Sequence, residues 1–267
     1  MSAPRMLLTR ARLRRDVSPE TLRAVLAPDD SARGATAHHM VWHLFGDVPE
    51  RRRDFLWREA EPGLFYLLSA RAPEDRRELF DLDPPKPFAP RLAAGDRLAF
   101  VLRANATVAR KSSPSDARGR RCDVVMDAIY ESPGRARAAA RARVLAPMAR
   151  RWLTTQGDAQ GFVLVERPRE PAWGDFDGHV AGQAPTSDSI TDAAARDDER
   201  AVRVLGYHTL RIGRGGSAPM RVGVLDMEGV LEVRDPERFT AALCTGFGRA
   251  RAFGCGLMLV RRAATRA

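Results

Sequence analysis

Five histidines, three cysteines and a glycine-rich run near the C-terminus are the places in this 267-residue chain where residue type and spacing could support chemistry. The histidines are His38, His39, His43, His179 and His208. No HExxH occurs, and although His39 and His43 stand at i, i+4, no carboxylate or cysteine completes a set with them, so no metal ligands are assigned. His38 falls in the first turn of an expected amphipathic helix. An imidazole with a pKa of about 6.5 can serve there as a general acid or base near neutrality. The plainer alternative is a satisfied histidine at a helix terminus. Cys122, Cys244 and Cys255 are widely spaced, odd in number and form no CxxC pair, which points to reduced, buried thiols rather than a disulfide framework or a zinc site.

The glycine-rich run is Gly246-Phe247-Gly248-Arg249-Ala250-Arg251-Ala252-Phe253-Gly254-Cys255-Gly256. Its glycines Gly246, Gly248, Gly254 and Gly256 would let backbone amides come close to a phosphate, and Arg249 and Arg251 could hold a nucleic-acid backbone. GxxxxGK[ST] is absent and the run leads into a strand, so it is no Walker loop. An ordinary turn between the last helix and the last strand would have the same composition.

Net charge narrows the partners. The chain carries +10 at neutral pH with a pI near 10.7, the footprint of a protein that meets a polyanion. All but two of its 44 basic residues are arginine, a bias that a GC-rich genome would also produce. Two stretches concentrate the charge. Residues 105–123 read as an exposed loop bearing Arg110, Lys111, Arg118, Arg120 and Arg121. A helix expected over 135–153 holds Arg135, Arg137, Arg141, Arg143, Arg150 and Arg151 and no acidic residue, a self-repelling pattern that a polyanion would relieve and that solvated surface would equally explain. No run of about 18 apolar residues occurs, so no membrane partner is expected. The arginine-rich first 15 residues lack an apolar secretory core, and the expected location is the cytoplasm.

The elements that must position these residues follow from periodicity. Strands are expected at 6–13, 55–57, 64–70, 96–103, 161–167, 201–212, 220–225, 230–234 and 257–262, with Pro62-Gly63 and Glu228-Gly229 as turns. Helices are expected after Ser18-Pro19 and ending before Pro28, over 38–45 with Val41, Trp42 and Phe45 sharing a face, near 75–80, over 135–153 with a kink at Pro147, and from Asp235-Pro236 to Leu243. The three prolines of 84–87 impose an extended segment, and 173–200 reads as a polar insertion without a site. The order gives an α+β protein of two tandem ferredoxin-like (βαββαβ) domains, at 1–105 and 134–267, joined by a basic linker over 106–133.

Four segments together resemble the CasE family of CRISPR-associated proteins: HHMVWHLF followed by Arg53-Asp54-Phe55-Leu56, FVLRANATVARK (100–111), GVLEVRDPERF (229–239) and GFGRARAFGCGLM (246–258). They span both halves, and the Arg103-Ala104-Asn105 tripeptide with the terminal GxGxAxxxGCGL pattern is specific in combination. The resemblance implies a RAMP-type fold and a metal-independent endoribonuclease, without cofactor, that cuts CRISPR repeat RNA hairpins and remains in a Cascade complex with other subunits. The family's catalytic histidine, four residues before the helix tryptophan, corresponds to His38 before Trp42. Family members often carry a tyrosine three residues earlier, where this chain has Ala35, so the resemblance leaves Lys111, Arg251 or a tyrosine from elsewhere as the partner of His38. Arg103, Lys111, Arg118, Arg120, Arg121, Arg137, Arg141, Arg249, Arg251 and the loop glycines are the expected RNA contacts. A non-catalytic RNA-binding subunit of the same complex is the alternative.

Overall fold

The computed structural model describes residues 5–18, 33–46, 53–111, 119–130, 132–166, 201–214 and 217–263. The expected helix before Pro28, Arg118 and the 173–200 insertion lie outside them. Two antiparallel sheets form, each served by helices, a mixed α+β architecture.

β1 (Met6–Leu13) opens the first sheet and α1 (Arg33–His43) follows it. β2 (Phe55–Glu61) and β3 (Leu64–Ser69) make the expected hairpin, closed at Gly63 with a φ of 79° that favours glycine. β3 pairs with β1, whose other edge takes β4 (Phe80–Leu82) and then the proline-bounded β5 (Lys86–Phe88). α1 covers this sheet with Ala37, Met40, Val41 and Leu44, spaced i, i+3, i+4 and i+7, set against Phe55, Trp57, Phe65 and Leu67. Burying Val41 and Leu44 contributes about 1.5–3 kcal/mol each. Phe45 is buried as expected, but Trp42 is only partly covered, so it sits at the rim of this face.

The expected helix near 75–80 does not form. Glu78 adopts a φ of 53°, which an L-residue in a right-handed helix cannot have, and the Asp75 carboxylate accepts from the backbone N–H groups of Arg77 and Phe80.

β6 (Arg97–Ala104) belongs to the second sheet, whereas the alternation pattern placed this strand at the end of the first unit. Alternation specifies a strand but not its neighbours. Within the expected loop over 105–123, β7 (Thr107–Arg110) and β8 (Arg120–Asp123) pair as a two-stranded ribbon leading into α2 (Val124–Ala128), whose first N–H groups bond the Asp123 carboxylate. α3 (Arg137–Gln160) runs through Pro147 and past the expected end at Leu153. Trp152, Leu153 and Gly157 bury its last turns, and Gly161 ends it in the left-handed region.

β9 (Phe162–Val165) and β10 (Val202–Arg214) lie successively along β11 (Ser217–Val233), which pairs with β6 on its other edge; β12 (Met258–Arg262) then flanks β6. The expected Glu228-Gly229 turn is therefore interior to one long strand. Gly229 is needed for close packing instead, since a Cβ there would lie 2.7 Å from the Ala201 carbonyl oxygen and 2.8 Å from the Phe100 ring. α4 (Pro236–Thr245) starts at the Asp235 cap, which accepts from the Arg238 N–H at 3.0 Å.

The two sheets meet where Met6, Leu56 and Leu68 pack on Leu257. A polar link crosses beside them. Arg58 of β2, 4% exposed, points Nη2 to Asp226 of β11 at 3.9 Å, and burial lowers its pKa to about 10 against the pull of that carboxylate.

Candidate functional site

His38 lies on α1 where the helix meets β10 and the single turn at 251–253 inside the glycine-rich loop. Its Nδ1 stands 2.6 Å from the Ala252 carbonyl oxygen. A carbonyl can only accept, so this contact places the proton on Nδ1 and the basic lone pair of the neutral ring on Nε2. The same carbonyl accepts from Trp57 Nε1 at 3.0 Å, so one backbone oxygen fixes both an indole from β2 and the imidazole from α1. Ring contacts complete the seat: Phe253 at 4.9 Å, His39 at 5.4 Å and Trp42 at 5.7 Å between centroids. His43, one turn later, is partly buried, and desolvation with the charge of Arg77 lowers its pKa.

The loop that supplies this carbonyl is held by its own backbone. Phe247 N–H donates to Gly256 O at 2.9 Å, Gly256 N–H to Arg103 O at 2.7 Å, and Arg249 N–H to Asn105 O at 3.4 Å. Asn105, 8% exposed, anchors the other side through Nδ2 to Gly223 O at 2.7 Å. Gly246, Gly254 and Gly256 are buried, and the amides of Phe247 and Gly256 are engaged in these backbone bonds. At Gly254, with φ 75°, a Cβ would sit 2.9 Å from the Trp57 ring. The glycines thus let the loop lie flat on Trp57 and present Ala252. Gly248 is half-buried with a φ of 69°, against Trp152.

The expected RNA-contacting residues fall in three groups. Arg249 is exposed and Arg251 half-buried, beside Ala252; Arg251 Nε donates to Gly248 O at 3.1 Å. Lys111, Arg120 and Arg121 are exposed on the β7–β8 ribbon, and Arg137 is exposed at the start of α3 with Nε on Ser132 O. Arg103 and Arg141 have protein partners. Arg103 makes a two-point ion pair with Asp226 at 2.8 and 3.1 Å, and although burial opposes its charge, this carboxylate raises its pKa. Arg141 lies over the Tyr207 ring at 5.8 Å. Tyr207 in turn donates its hydroxyl to Asp123 at 3.1 Å, and burial with that carboxylate holds its proton well above the usual phenol range. Among the described residues, no group of three His, Cys, Asp or Glu side chains could hold a metal ion.

Sequence reasoning missed Trp57, Ala252, Arg58 and Asp226. Only the RAN and GCGL segments pointed to their neighbourhood, because a backbone carbonyl and a cross-sheet pair leave no local signature.

A family model described as CRISPR associated protein matches residues 6–262. The chain belongs to this family. A curated relative of this CRISPR-associated protein, the CRISPR-associated endoribonuclease Cse3 of Thermus thermophilus, is 29% identical over 177 residues, 66% of this chain. The match spans 61% of that relative's length. A solved structure of the endoribonuclease Cse3 bound to a 19-nucleotide RNA is similar with a TM-score of 0.61 and 26% identity, covering 97% of this chain and 100% of that one. A chain of a CRISPR RNA-guided surveillance complex shares the fold at a TM-score of 0.51 and 16% identity, over 96% of this chain and 99% of its own length. No helix among the described residues is long and apolar enough to cross a membrane.

Proposed function

We propose that this CRISPR-associated protein is a metal-independent endoribonuclease that cuts CRISPR precursor RNA at repeat hairpins and keeps the product as a subunit of a cytoplasmic Cascade complex. The observation that carries the reading is the 2.6 Å contact between His38 Nδ1 and the Ala252 carbonyl, which aims the histidine from a loop bearing Arg249 and Arg251. The first sheet, in the order β2-β3-β1-β4, and the second, β10-β11-β6-β12, are the two ferredoxin-like units, with the boundary falling before β6.

In the reaction, Nε2 of His38 takes the 2′-hydroxyl proton as the 2′-oxygen attacks phosphorus. The P–O5′ bond breaks, and a proton reaches the leaving 5′-oxygen. The products are a 2′,3′-cyclic phosphate and a 5′-hydroxyl, and the nucleophile requires RNA before the cut. General acid–base catalysis contributes about 10²- to 10⁴-fold, so the remainder comes from holding the bent strand in line. Arg120, Arg121 and Arg137 contact hairpin phosphates, since the A-form major groove is too narrow to be read by side chains.

The test is cleavage of a labelled repeat hairpin in EDTA. His38→Ala is expected to cut at least about 10²-fold more slowly with affinity nearly unchanged, and one deoxyribose before the cut to block the wild type. Binding without cleavage by the wild type would establish the non-catalytic subunit instead.

A further inference from the structure

α2 adjoins β8 of the basic ribbon and packs against the arginine-rich α3, and there it turns an aromatic ring to solvent. Asp123 caps the helix, and Val124, Val125 and Ile129 are buried on its inner side. Met126 and Tyr130, four residues apart, are left on the outer side at 41% and 78% exposed. Among the described residues these are the exposed large apolar side chains. The Tyr130 N–H donates to Asp127 O at 3.3 Å, which fixes the ring at the end of the helix.

Cations are held on both sides of this residue by direct contacts. On one side Arg110 of β7 donates to the Asp127 carboxylate, with Nε at 3.0 Å and Nη2 at 2.6 Å, and Asp127 is the residue whose carbonyl receives the Tyr130 N–H. Arg120, the register partner of Arg110, is exposed, as are Lys111 and Arg121. On the other side Arg137 Nε donates to Ser132 O at 3.2 Å, two residues past Tyr130. Residues 107–141 carry eight basic and four acidic side chains, so the ring stands in a stretch of surplus positive charge. A specific protein interface buries about 800 Å² on each partner, several times what two side chains present, whereas one nucleobase matches one ring. An aromatic ring set among cations suits single-stranded nucleic acid, because the ring takes a base and the cations take the phosphates beside it. Bases paired in an A-form stem are stacked on one another, so the base that reaches such a ring is unpaired.

We propose that Tyr130 is a stacking platform for an unpaired RNA base that flanks the hairpin, an assignment that rests on the RNA-binding part of the proposed function and deepens it. The ring supplies affinity that is tolerant of sequence, since every base has a π-face. Because the contact is to a base and not to a phosphate, its contribution is independent of counterion release.

The test is equilibrium binding of the full chain to two labelled repeat hairpins with a deoxyribose at the cut, one blunt and one with unpaired tails of about eight adenosines at both ends. The wild type is expected to bind the tailed RNA more tightly. Tyr130→Ala is expected to weaken binding of the tailed RNA by about 5- to 100-fold, the worth of one stacked base. Its affinity for the blunt hairpin and its slope of log K against log salt are expected to match the wild type. Tyr130→Phe keeps the ring and is expected to bind both RNAs as the wild type does. A fluorescent purine analogue in the tail is expected to be quenched by the wild type and Tyr130→Phe but not by Tyr130→Ala. So exposed a side chain is replaced with little effect on folding, and matching thermal midpoints check this. Tailed RNA bound equally by the wild type and Tyr130→Ala overturns the proposal, as does an equal loss on both hairpins or a wild type that does not distinguish them. If Tyr130→Ala keeps its RNA affinity but loses self-association in sedimentation, the ring belongs to an interface with a second copy of the chain and the proposal falls. Failure of the wild type to cut all-ribose RNA removes the ribonuclease reading alone, because binding is measured on RNA that cannot be cut.

Discussion

Asp226 shows how much of the polar interior depends on one carboxylate. It receives Arg103 at 2.8 Å, Arg58 at 3.9 Å and His208 at 3.8 Å, and its own side chain is 14% exposed. Removing one partner of a buried pair leaves the other charge uncompensated, which costs about 3–5 kcal/mol. Asp226→Asn is accordingly expected to lower the stability read from urea unfolding by an amount in that range. The exposed pair Arg97–Glu232, at 3.4 Å with Arg97 68% exposed, supplies the contrast: Arg97→Gln is expected to change the same measurement by less than about 1 kcal/mol. Cys255, buried beside this cluster, is an inert thiol, because burial pushes its pKa up to about 12. At this scale His38 stood out as a candidate from its place on an amphipathic helix and from the family pattern. Its partner did not, because any residue can offer a backbone carbonyl.

In the proposed reaction the glycine-rich loop is the element that seats His38, through the Ala252 carbonyl. Its composition suggested amides open to a phosphate, yet the folded loop uses glycine to approach Trp57, Leu56 and the Phe247 carbonyl. Gly254→Ala would put a methyl group at φ 75° against the Trp57 ring and displace the adjoining Ala252 carbonyl. The expected result is a loss of cleavage of about 10²-fold, the scale of a misplacement of about 1 Å, with hairpin affinity within a few-fold of wild type; matched losses in both would show that the loop mainly binds. Elsewhere, elements with a strong local signal were readable. Asp235-Pro236 opened α4 and Pro62-Gly63 closed the first hairpin as expected. Errors arose where packing overrode local pattern, as in β11, which continues through Glu228-Gly229 because both edges are hydrogen-bonded.

Over the whole molecule the surplus of positive charge is spread on surfaces far apart in sequence, the β7–β8 ribbon, the start of α3 and the glycine-rich loop, which the proposed function joins as one RNA-binding face. Binding of a hairpin should therefore weaken steeply with salt, and Arg120→Gln/Arg121→Gln is expected to reduce the log–log slope by about 1.5, as loss of two phosphate contacts would. An unchanged slope would assign that ribbon to solvent or to another protein. The sequence by itself determined the family, the α+β class and most strand and helix positions, because periodicity, caps and an ordered set of motifs are local properties of the chain. Only the tertiary structure decided that β6 belongs to the second sheet, that Arg58 reaches across to Asp226, and that the Ala252 carbonyl meets His38. Those facts depend on which edges pair and which side chains meet over long sequence separations, and no local pattern encodes them.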